Sequence, residues 1–299
     1  MDRAVVSAAA SGTGEPDGVR LVLGTLDLPD TPLAPRLLDR YVDAGGRALD
    51  VANVYGDGEA SRAVGRWLAR GPAHRPVLYA KGCHPPHCRP DLVAAEVDAA
   101  RTLLGVDRID VFILHRDDLA RPVSEWAEAL LAQVEAGAIG GFGVSNWTVE
   151  RLRALRADLD AAGAGHLRAF SNHFSLARML SPPWPGCLAL STDDLNAIGD
   201  LGVAVLAWSS LATGFFAGRD APHWDDRANR ARRDRAGTLA QRLGTTAPAV
   251  ALAYVLHQPG HVRPVVGTRS ATHLDEALGA AAIRLEPDDL VWLEDGADG

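Results

Sequence analysis

Short apolar segments alternate with longer amphipathic segments along most of this chain. Most of the short segments are rich in β-branched or aromatic residues, a pattern typical of parallel strands that are buried on both faces. Eight such segments are predicted as strands: residues 20–24, 47–51, 77–81, 109–115, 139–145, 167–172, 203–209 and 264–267. Strands of this kind need cover on both sides, so the pattern indicates a sheet enclosed by helices.

The longer segments repeat apolar residues at helical spacing. In one of them Val64, Trp67 and Leu68 share a face, and another starts at Ser124, a residue type that favours the N-cap. The predicted helices are 35–44, 59–70, 91–104, 124–136, 148–159, 192–201, 234–243, 248–257 and 272–282, with an extra helix across the barrel at 286–293. Strands that alternate with helices in this way predict an α/β protein built as one (β/α)8 TIM barrel, over residues 19–299.

Two segments fall outside the alternation. Residues 1–18 lack the apolar core of a signal peptide, and Asp2 and Glu15 also argue against one, so we expect a short disordered lead. Residues 214–229 form a long irregular stretch after the seventh strand. A loop of that length is usually functional, for example by closing over a ligand.

Charge and cysteine content exclude several classes of protein. The net charge is −8, and the basic run 227–235 is diluted by acidic residues, so we interpret it as an exposed helix start or loop and expect no nucleic-acid partner. No apolar stretch is long enough to cross a bilayer, so no membrane partner is expected. The three cysteines do not make a disulfide framework, and a cytoplasmic location is the simplest.

Four side chains that can donate or position a proton lie at or just beyond the ends of neighbouring predicted strands. The second strand ends near Asp50, Tyr55 follows in the loop after it, Lys81 ends the third strand and His115 ends the fourth. The active site of this barrel lies at the carboxyl ends of its strands, where these side chains would meet. Tyr55 would protonate a carbonyl oxygen, and Lys81 would lower the tyrosine pKa from its ordinary value of about 10. Asp50 would keep the lysine charged, and His115 would orient the substrate oxygen.

Six motifs in this chain resemble those of the aldo-keto reductase family. They run in order from about residue 21 to residue 278: LDVANVYGDGEASRAVGRWL, YAKGCHP, VFILHRDD, GFGVSN, LAWSSL and VVGTRSATHLDEAL. Each motif alone is weak, but the ordered set is specific. The resemblance implies NADPH-dependent reduction of an aldehyde or ketone, with a small-molecule carbonyl compound as the substrate.

The resemblance also implies a set of cofactor-binding residues. Ser145 and Asn146 would hold the nicotinamide carboxamide, and Trp208 would stack on the ring. The backbone amides of Ser209 and Leu211 would approach the pyrophosphate. The remaining members of the implied set are Ser171, Gly267, Thr268, Arg269, His273 and Glu276.

Three positions depart from the family pattern. Ser171 stands where the family usually has glutamine, His273 where it often has arginine or glutamine, and Ala277 where it usually has asparagine. Arg269 is then the best remaining partner for a 2′-phosphate, because guanidinium groups bind phosphate well. We therefore expect NADPH in preference to NADH.

Residues 83–88 combine two cysteines and two histidines around a Pro-Pro pair. These adjacent pairs cannot easily converge as tetrahedral ligands, so we expect no metal site, and we expect His84 to line the substrate pocket. Four aromatic residues are either substrate walls, together with Ser171, or ordinary loop packing: Phe174, Phe215, Phe216 and Trp224.

Two other functions stay open at this point. One is a cofactor-binding regulatory protein on the same barrel, and the other is a lyase or epimerase that acts on a sugar. The catalytic side chains argue against the first, and Trp208 with the segment 267–269 argues against the second. The physiological substrate, the preferred reaction direction and the oligomeric state do not follow from the sequence.

Overall fold

Eight parallel strands close into a barrel in the computed structural model, which describes residues 20–28 and 31–296. The strands pair in chain order, and β8 pairs with β1. They are β1 Val22–Gly24, β2 Ala48–Ala52, β3 Val77–Gly82, β4 Val111–Leu114, β5 Phe142–Ser145, β6 Leu167–Ser171, β7 Ala204–Ala207 and β8 Val262–Gly267. The predicted (β/α)8 fold is confirmed. The lead expected at residues 1–18 lies outside the described residues.

Helices follow the strands and enclose them. They are α1 Leu33–Asp43, α2 Glu59–Leu68, α3 Val93–Leu104, α4 Val123–Glu135, α5 Val149–Ala161, α6 Thr192–Ile198, α7 Arg227–Leu243, α8 Ala247–Leu256, α9 Ala271–Gly279 and α10 Pro287–Asp295. Both α7 and α8 lie between β7 and β8, and α9 and α10 follow β8. The extra helix predicted at 286–293 is α10, and Arg235 of α7 donates hydrogen bonds to the carbonyl groups of Leu293 and Glu294.

Two apolar layers account for the continuous apolar runs of the strands. One layer fills the barrel and includes Tyr79, Ile113 and Leu206. The other lies between the strands and the helices and includes Phe112 and Trp126. Because successive side chains of a strand point to opposite faces, a strand between two apolar layers must be apolar at nearly every position.

A side-chain cap sets the start of α5 but not that of α4. Thr148 caps α5 by accepting a hydrogen bond from the Arg151 amide, as its residue type predicts. The expected N-cap at Ser124 is wrong, because α4 begins at Val123 and follows Pro122. Ser124 therefore lies inside the first turn of α4.

The expected irregular stretch at 214–229 is shorter than the sequence indicates. A short 3-10 segment, Ala212–Ala217, follows β7, and α7 begins at Arg227 rather than near residue 234. Asp226 caps α7 by accepting from the Asn229 amide at 2.7 Å, so the basic run belongs to the start of a helix. Among the described residues, no helix is both long enough and apolar enough to cross a membrane.

Candidate active site

An ion pair and a phenol meet at the carboxyl ends of β2 and β3. Lys81 Nζ lies 2.7 Å from Asp50 Oδ1 and donates a hydrogen bond of 3.1 Å to the Tyr55 hydroxyl. That hydroxyl donates in turn to Asp50 Oδ2 at 3.3 Å. Asp50 and Lys81 are each 2% exposed, so neither charge is solvated and each depends on the other.

Strand register brings these groups together. Asp50 pairs with Tyr79, and Lys81 follows Tyr79 by two residues on β3, so Lys81 and Tyr79 point to the same face. Tyr79 belongs to the layer inside the barrel. The Lys81 side chain is therefore directed into the mouth of the barrel, where the loop after β2 carries Tyr55.

The tyrosine is less acidic than the sequence suggests. The pKa of Tyr55 is raised to about 12, because desolvation and the Asp50 carboxylate raise it by more than Lys81 lowers it. Lys81 does lower this pKa, as expected, but burial first and Asp50 second outweigh the lysine, so the pKa does not fall below its ordinary value. Burial disfavours the charge on Lys81, but Asp50 and Tyr55 together outweigh that effect, so the pKa of Lys81 lies above its ordinary value.

His115 follows β4 and lies beside the tyrosine. Its ring centroid is 5.9 Å from that of Tyr55, and the two rings are nearly perpendicular. Burial lowers the pKa of His115 well below its ordinary value, and the positive charge of Lys81 lowers it further. A neutral imidazole at neutral pH has one donor and one acceptor nitrogen, and His115 Nδ1 has no partner among the described residues. The ring can therefore bond to an oxygen atom at the mouth.

The turns after the strands hold a strained backbone. Cys83, Asn146 and Ser209 have positive φ angles of 58°, 59° and 50°, and they follow β3, β5 and β7. L-residues rarely adopt this conformation, and such strain concentrates at functional sites. The carboxyl face of the barrel is therefore the part of the fold where ligand binding is expected.

Comparisons with known proteins identify the family of this chain. The sequence profile of the Aldo/keto reductase family matches residues 20–295. The chain belongs to the aldo/keto reductase family. It is accordingly an NAD(P)H-dependent oxidoreductase that acts on carbonyl groups.

Individual aldo/keto reductase relatives match over most of the chain. An uncharacterized oxidoreductase, YrpG, from Bacillus subtilis is 27% identical over 92% of this chain and 91% of its own length. A 6-dehydroglucose reductase from Novosphingobium aromaticivorans is 28% identical over 84% of this chain and 81% of its own. The crystal structure of an aldo-keto reductase from Klebsiella pneumoniae in complex with NADPH is 26% identical, with a TM-score of 0.74, over 92% of this chain and 89% of that one.

Two residues of the implied carboxamide site already have internal partners. The Ser145 hydroxyl donates to the Ser171 carbonyl at 2.6 Å. The Asn146 side chain donates to the His115 carbonyl at 3.2 Å and accepts from the Leu188 amide at 3.1 Å. Both side chains are buried, so they also serve to join the ends of the strands.

Two other members of the implied cofactor set have polar atoms that lack a partner. Ser171 Oγ and Trp208 Nε1 are buried and make no hydrogen bond within the described residues. A buried polar group without a partner costs about 1–3 kcal/mol, and ligands commonly supply the missing partner. These atoms suit a ligand that carries both hydrogen-bond donors and acceptors, as a nicotinamide carboxamide does.

The implied phosphate end lies at the loop after β8 and the start of α9. Arg269 Nε donates to the Asp27 carbonyl at 2.9 Å, and its Nη2 lies 3.8 Å from the Asp27 carboxylate. The Arg269 side chain is largely exposed, so this contact is weak. Glu276 accepts a hydrogen bond from Thr246, the N-cap of α8, and His273 is exposed in the first turn of α9.

The remaining implied positions follow the same strand ends. Gly267 ends β8 and is exposed, and the Thr268 hydroxyl accepts a hydrogen bond from the Ser270 amide at 3.0 Å. Ser209 and Leu211 lie in the turn after β7, where the Ala212 amide bonds back to the Ser209 carbonyl at 2.7 Å. The implied set therefore lies along the carboxyl face from β5 to α9.

Apolar side chains surround the mouth. Of the seven large apolar side chains that are exposed within the described residues, five lie in loops that follow strands: Leu26, Val54, Leu119, Leu180 and Trp184. The Trp184 ring lies 6.3 Å from the Trp208 ring, and the His84 ring lies 5.1 Å from the His115 ring. His84 therefore lies at the mouth, as its position after β3 predicts.

The other residues that the sequence singles out serve in packing. Phe174, Phe215, Phe216 and Trp224 are all buried, and Phe174 stacks on Tyr254 of α8. Within residues 83–88, His87 bonds to Glu96 at 2.8 Å and His84 contacts the Pro85 carbonyl. In the described part of the chain, no three His, Cys, Asp or Glu side chains form a group able to hold a metal.

Sequence reasoning misses Arg116 and His173. Arg116 is buried and donates hydrogen bonds to the carbonyl groups of His115 at 2.9 Å and Pro185 at 3.2 Å. Arg116 therefore links His115 to the loop that carries Trp184. His173 lies 5.1 Å from the Trp208 ring and accepts a hydrogen bond from Trp224 Nε1 at 3.2 Å. An arginine next to a candidate catalytic histidine is a signal that could have drawn attention to Arg116, whereas nothing in the sequence distinguishes His173.

Proposed function

We propose that this protein reduces an aldehyde or ketone to an alcohol with NADPH, and that Tyr55 is the general acid. The observation that carries the proposal is the joint contact of the Tyr55 hydroxyl with Lys81 Nζ and Asp50 Oδ2. A phenol held against a buried ion pair is fixed in position and can deliver a proton. The same contacts argue against a purely regulatory protein, which has no need of them.

Each residue has a distinct task in the proposed reaction. When bound, NADPH supplies the hydride that the carbonyl carbon accepts. The Tyr55 hydroxyl gives its proton to the carbonyl oxygen, and the phenolate that results is stabilised by Lys81. His115 is neutral and donates a hydrogen bond that orients the same oxygen before transfer.

The assignment of NADPH as the cofactor rests on protein groups that suit its nicotinamide end and its 2′-phosphate end. The unpartnered atoms of Ser171 and Trp208 suit the nicotinamide end. Arg269, which is exposed and only weakly paired, suits a 2′-phosphate. The related structure from Klebsiella pneumoniae is a complex with NADPH, which favours NADPH over NADH here.

The proposed substrates are apolar or aromatic carbonyl compounds. Leu26, Val54 and Trp184 are each roughly half exposed around the mouth, with exposures of 48%, 44% and 45%. Such a rim binds apolar surface better than a polyhydroxylated sugar. Because one relative is a 6-dehydroglucose reductase, keto-sugars belong in the same substrate panel as benzaldehydes and aryl ketones.

Replacement of Tyr55 by phenylalanine tests the proposal. Tyr55→Phe should bind NADPH with unchanged affinity, measured by cofactor fluorescence, but lose about 10²- to 10⁴-fold in kcat for aldehyde reduction. Tyr254→Phe is the matched control, because it removes a phenol that bonds to Glu294 on the outside of the barrel. Equal activity of Tyr55→Phe and Tyr254→Phe would remove Tyr55 from the mechanism.

A further inference from the structure

A cavity of about 630 Å³ opens at the end of the barrel opposite the catalytic residues. Its walls come from the residues that precede or begin β3 to β7, and Val77, Val111 and Ala204 form an apolar part of its lining. Along β3, Lys81 is four residues beyond Val77, which is roughly 13 Å at about 3.3 Å per residue. Ile113 and Leu206 of the interior layer are packed between the two ends, so this cavity is separate from the catalytic mouth.

Positive charge lines this cavity in a chain whose net charge is −8. Arg75 is neutralised by Asp110, since Arg75 Nη1 lies 2.9 Å from the Asp110 carboxylate. Arg108 and Arg168 have neither a hydrogen bond nor an ion pair with any described residue. Two guanidinium groups are therefore available to a ligand in the cavity.

A pair of glycines leaves room for both arginines to lie close to the backbone. A Cβ atom at Gly140 would lie 3.0 Å from Arg108 Nη2, and one at Gly141 would lie 2.7 Å from Arg168 Cγ. Such atoms would also lie 2.8 Å from the Asp110 carbonyl oxygen and 2.9 Å from the His166 carbonyl oxygen, so glycine at both positions leaves the space that the arginines occupy. Because both side chains lie against the backbone, they lose less conformational freedom when a ligand binds than freely solvated arginines would.

We propose that this cavity binds a small phosphorylated organic molecule, with Arg108 and Arg168 as the phosphate donors. The planar guanidinium group presents paired N–H donors that match the oxygen atoms of a phosphate. The cavity is much larger than one phosphate group, and its apolar wall gives an organic body a surface to contact. Asp107, which also lines the cavity, weakens the binding of an anion by charge repulsion.

Titration with inorganic phosphate and pyrophosphate tests the assignment. The protein is kept in excess NADPH, so that anion contacts at the carboxyl face are already in use, and binding is followed by calorimetry and by Tm. Sodium chloride at equal ionic strength is the reference for screening. We expect both anions to bind and to raise Tm above the chloride reference, with pyrophosphate the tighter ligand.

Charge variants then locate the site. Arg108→Gln and Arg168→Gln should each weaken pyrophosphate binding about tenfold or more, as expected for loss of one charge-assisted contact. Arg36→Gln, on an exposed position of α1 away from the cavity, is the matched control and should leave the affinity unchanged. Asp107→Asn should tighten binding, a gain that damage to the fold cannot produce.

Three results would overturn the proposal. They are no binding beyond the chloride reference, equal affinity in the three arginine variants, or unchanged affinity in Asp107→Asn. If either arginine variant fails to fold, the pyrophosphate affinity of Asp107→Asn alone tests the proposal: tighter binding supports it and unchanged binding overturns it. Each result is independent of the carbonyl reduction proposed for the other end of the barrel, since none of these measurements uses turnover.

Discussion

Removal of either member of the Asp50–Lys81 pair should destabilise the barrel far more than removal of both. The two groups are 2.7 Å apart, and each is 2% exposed. Asp50→Asn leaves a buried ammonium without a counter-charge, and Lys81→Met leaves a buried carboxylate. Loss of one partner of a buried pair costs about 3–5 kcal/mol, whereas an uncharged replacement of the whole pair is often nearly neutral.

The double variant distinguishes this reasoning from simple loss of contacts. Two independent losses would sum to roughly 6–10 kcal/mol, whereas Asp50→Asn/Lys81→Met should cost no more than either single variant. Urea unfolding followed by tryptophan fluorescence gives the three free energies of unfolding, and equal m-values justify the comparison. A double variant that loses the full sum would refute the coupling between the two charges.

Three further predictions follow from the buried polar groups of the site. Because the pKa of Tyr55 is about 12, its phenol stays protonated between about pH 6 and 9, so the rate of aldehyde reduction should vary little over that range. The rate of alcohol oxidation, which needs the phenolate as base, should rise about tenfold per pH unit over the same range. A flat pH profile for oxidation would contradict this. Burial lowers the pKa of His173 to about 4, so the unfolded chain binds the extra proton, and the free energy of unfolding should fall by about 2 kcal/mol from pH 7.5 to 5. His173→Gln should lose that part of the slope in urea titrations, and an unchanged slope would assign it to other groups. Ser171→Ala should leave the stability of the cofactor-free protein unchanged, because Ser171 Oγ has no partner among the described residues. The same variant should bind NADPH roughly tenfold more weakly in a fluorescence titration. Unaltered NADPH affinity would exclude a contact between the cofactor and this hydroxyl.

The sequence predicts the barrel well because its signal is repeated. Most strand positions are apolar on both faces and most helices have an apolar face, so an error in one element leaves the alternation intact. The errors occur where a single local interaction decides. Pro122 sets the start of α4 and displaces Ser124 from the cap, and the Asp226 cap starts α7 well before the apolar periodicity begins.

The positions of the proposed catalytic residues are predictable for a similar reason. Asp50 and Lys81 lie in the carboxyl-terminal parts of β2 and β3, His115 directly follows β4, and closure of the barrel brings all strand ends together. The electrostatic balance is not predictable, because the pKa of Tyr55 depends on distances that the sequence does not contain. The cavity at Arg108 and Arg168 is equally hidden, since its residues come from separate turns that meet only after the barrel closes.

The hydrogen bond from Arg116 to the Pro185 carbonyl group couples substrate selectivity to turnover, two properties that are often altered separately. Its guanidinium group holds the backbone of the Trp184 loop and also the carbonyl group of the neighbouring His115. A graft that replaces this loop to change specificity would release Arg116 and leave a buried cation beside the histidine. Engineering of the substrate range should therefore transplant the loop together with a residue that accepts from Arg116, or the turnover number will decline along with the selectivity.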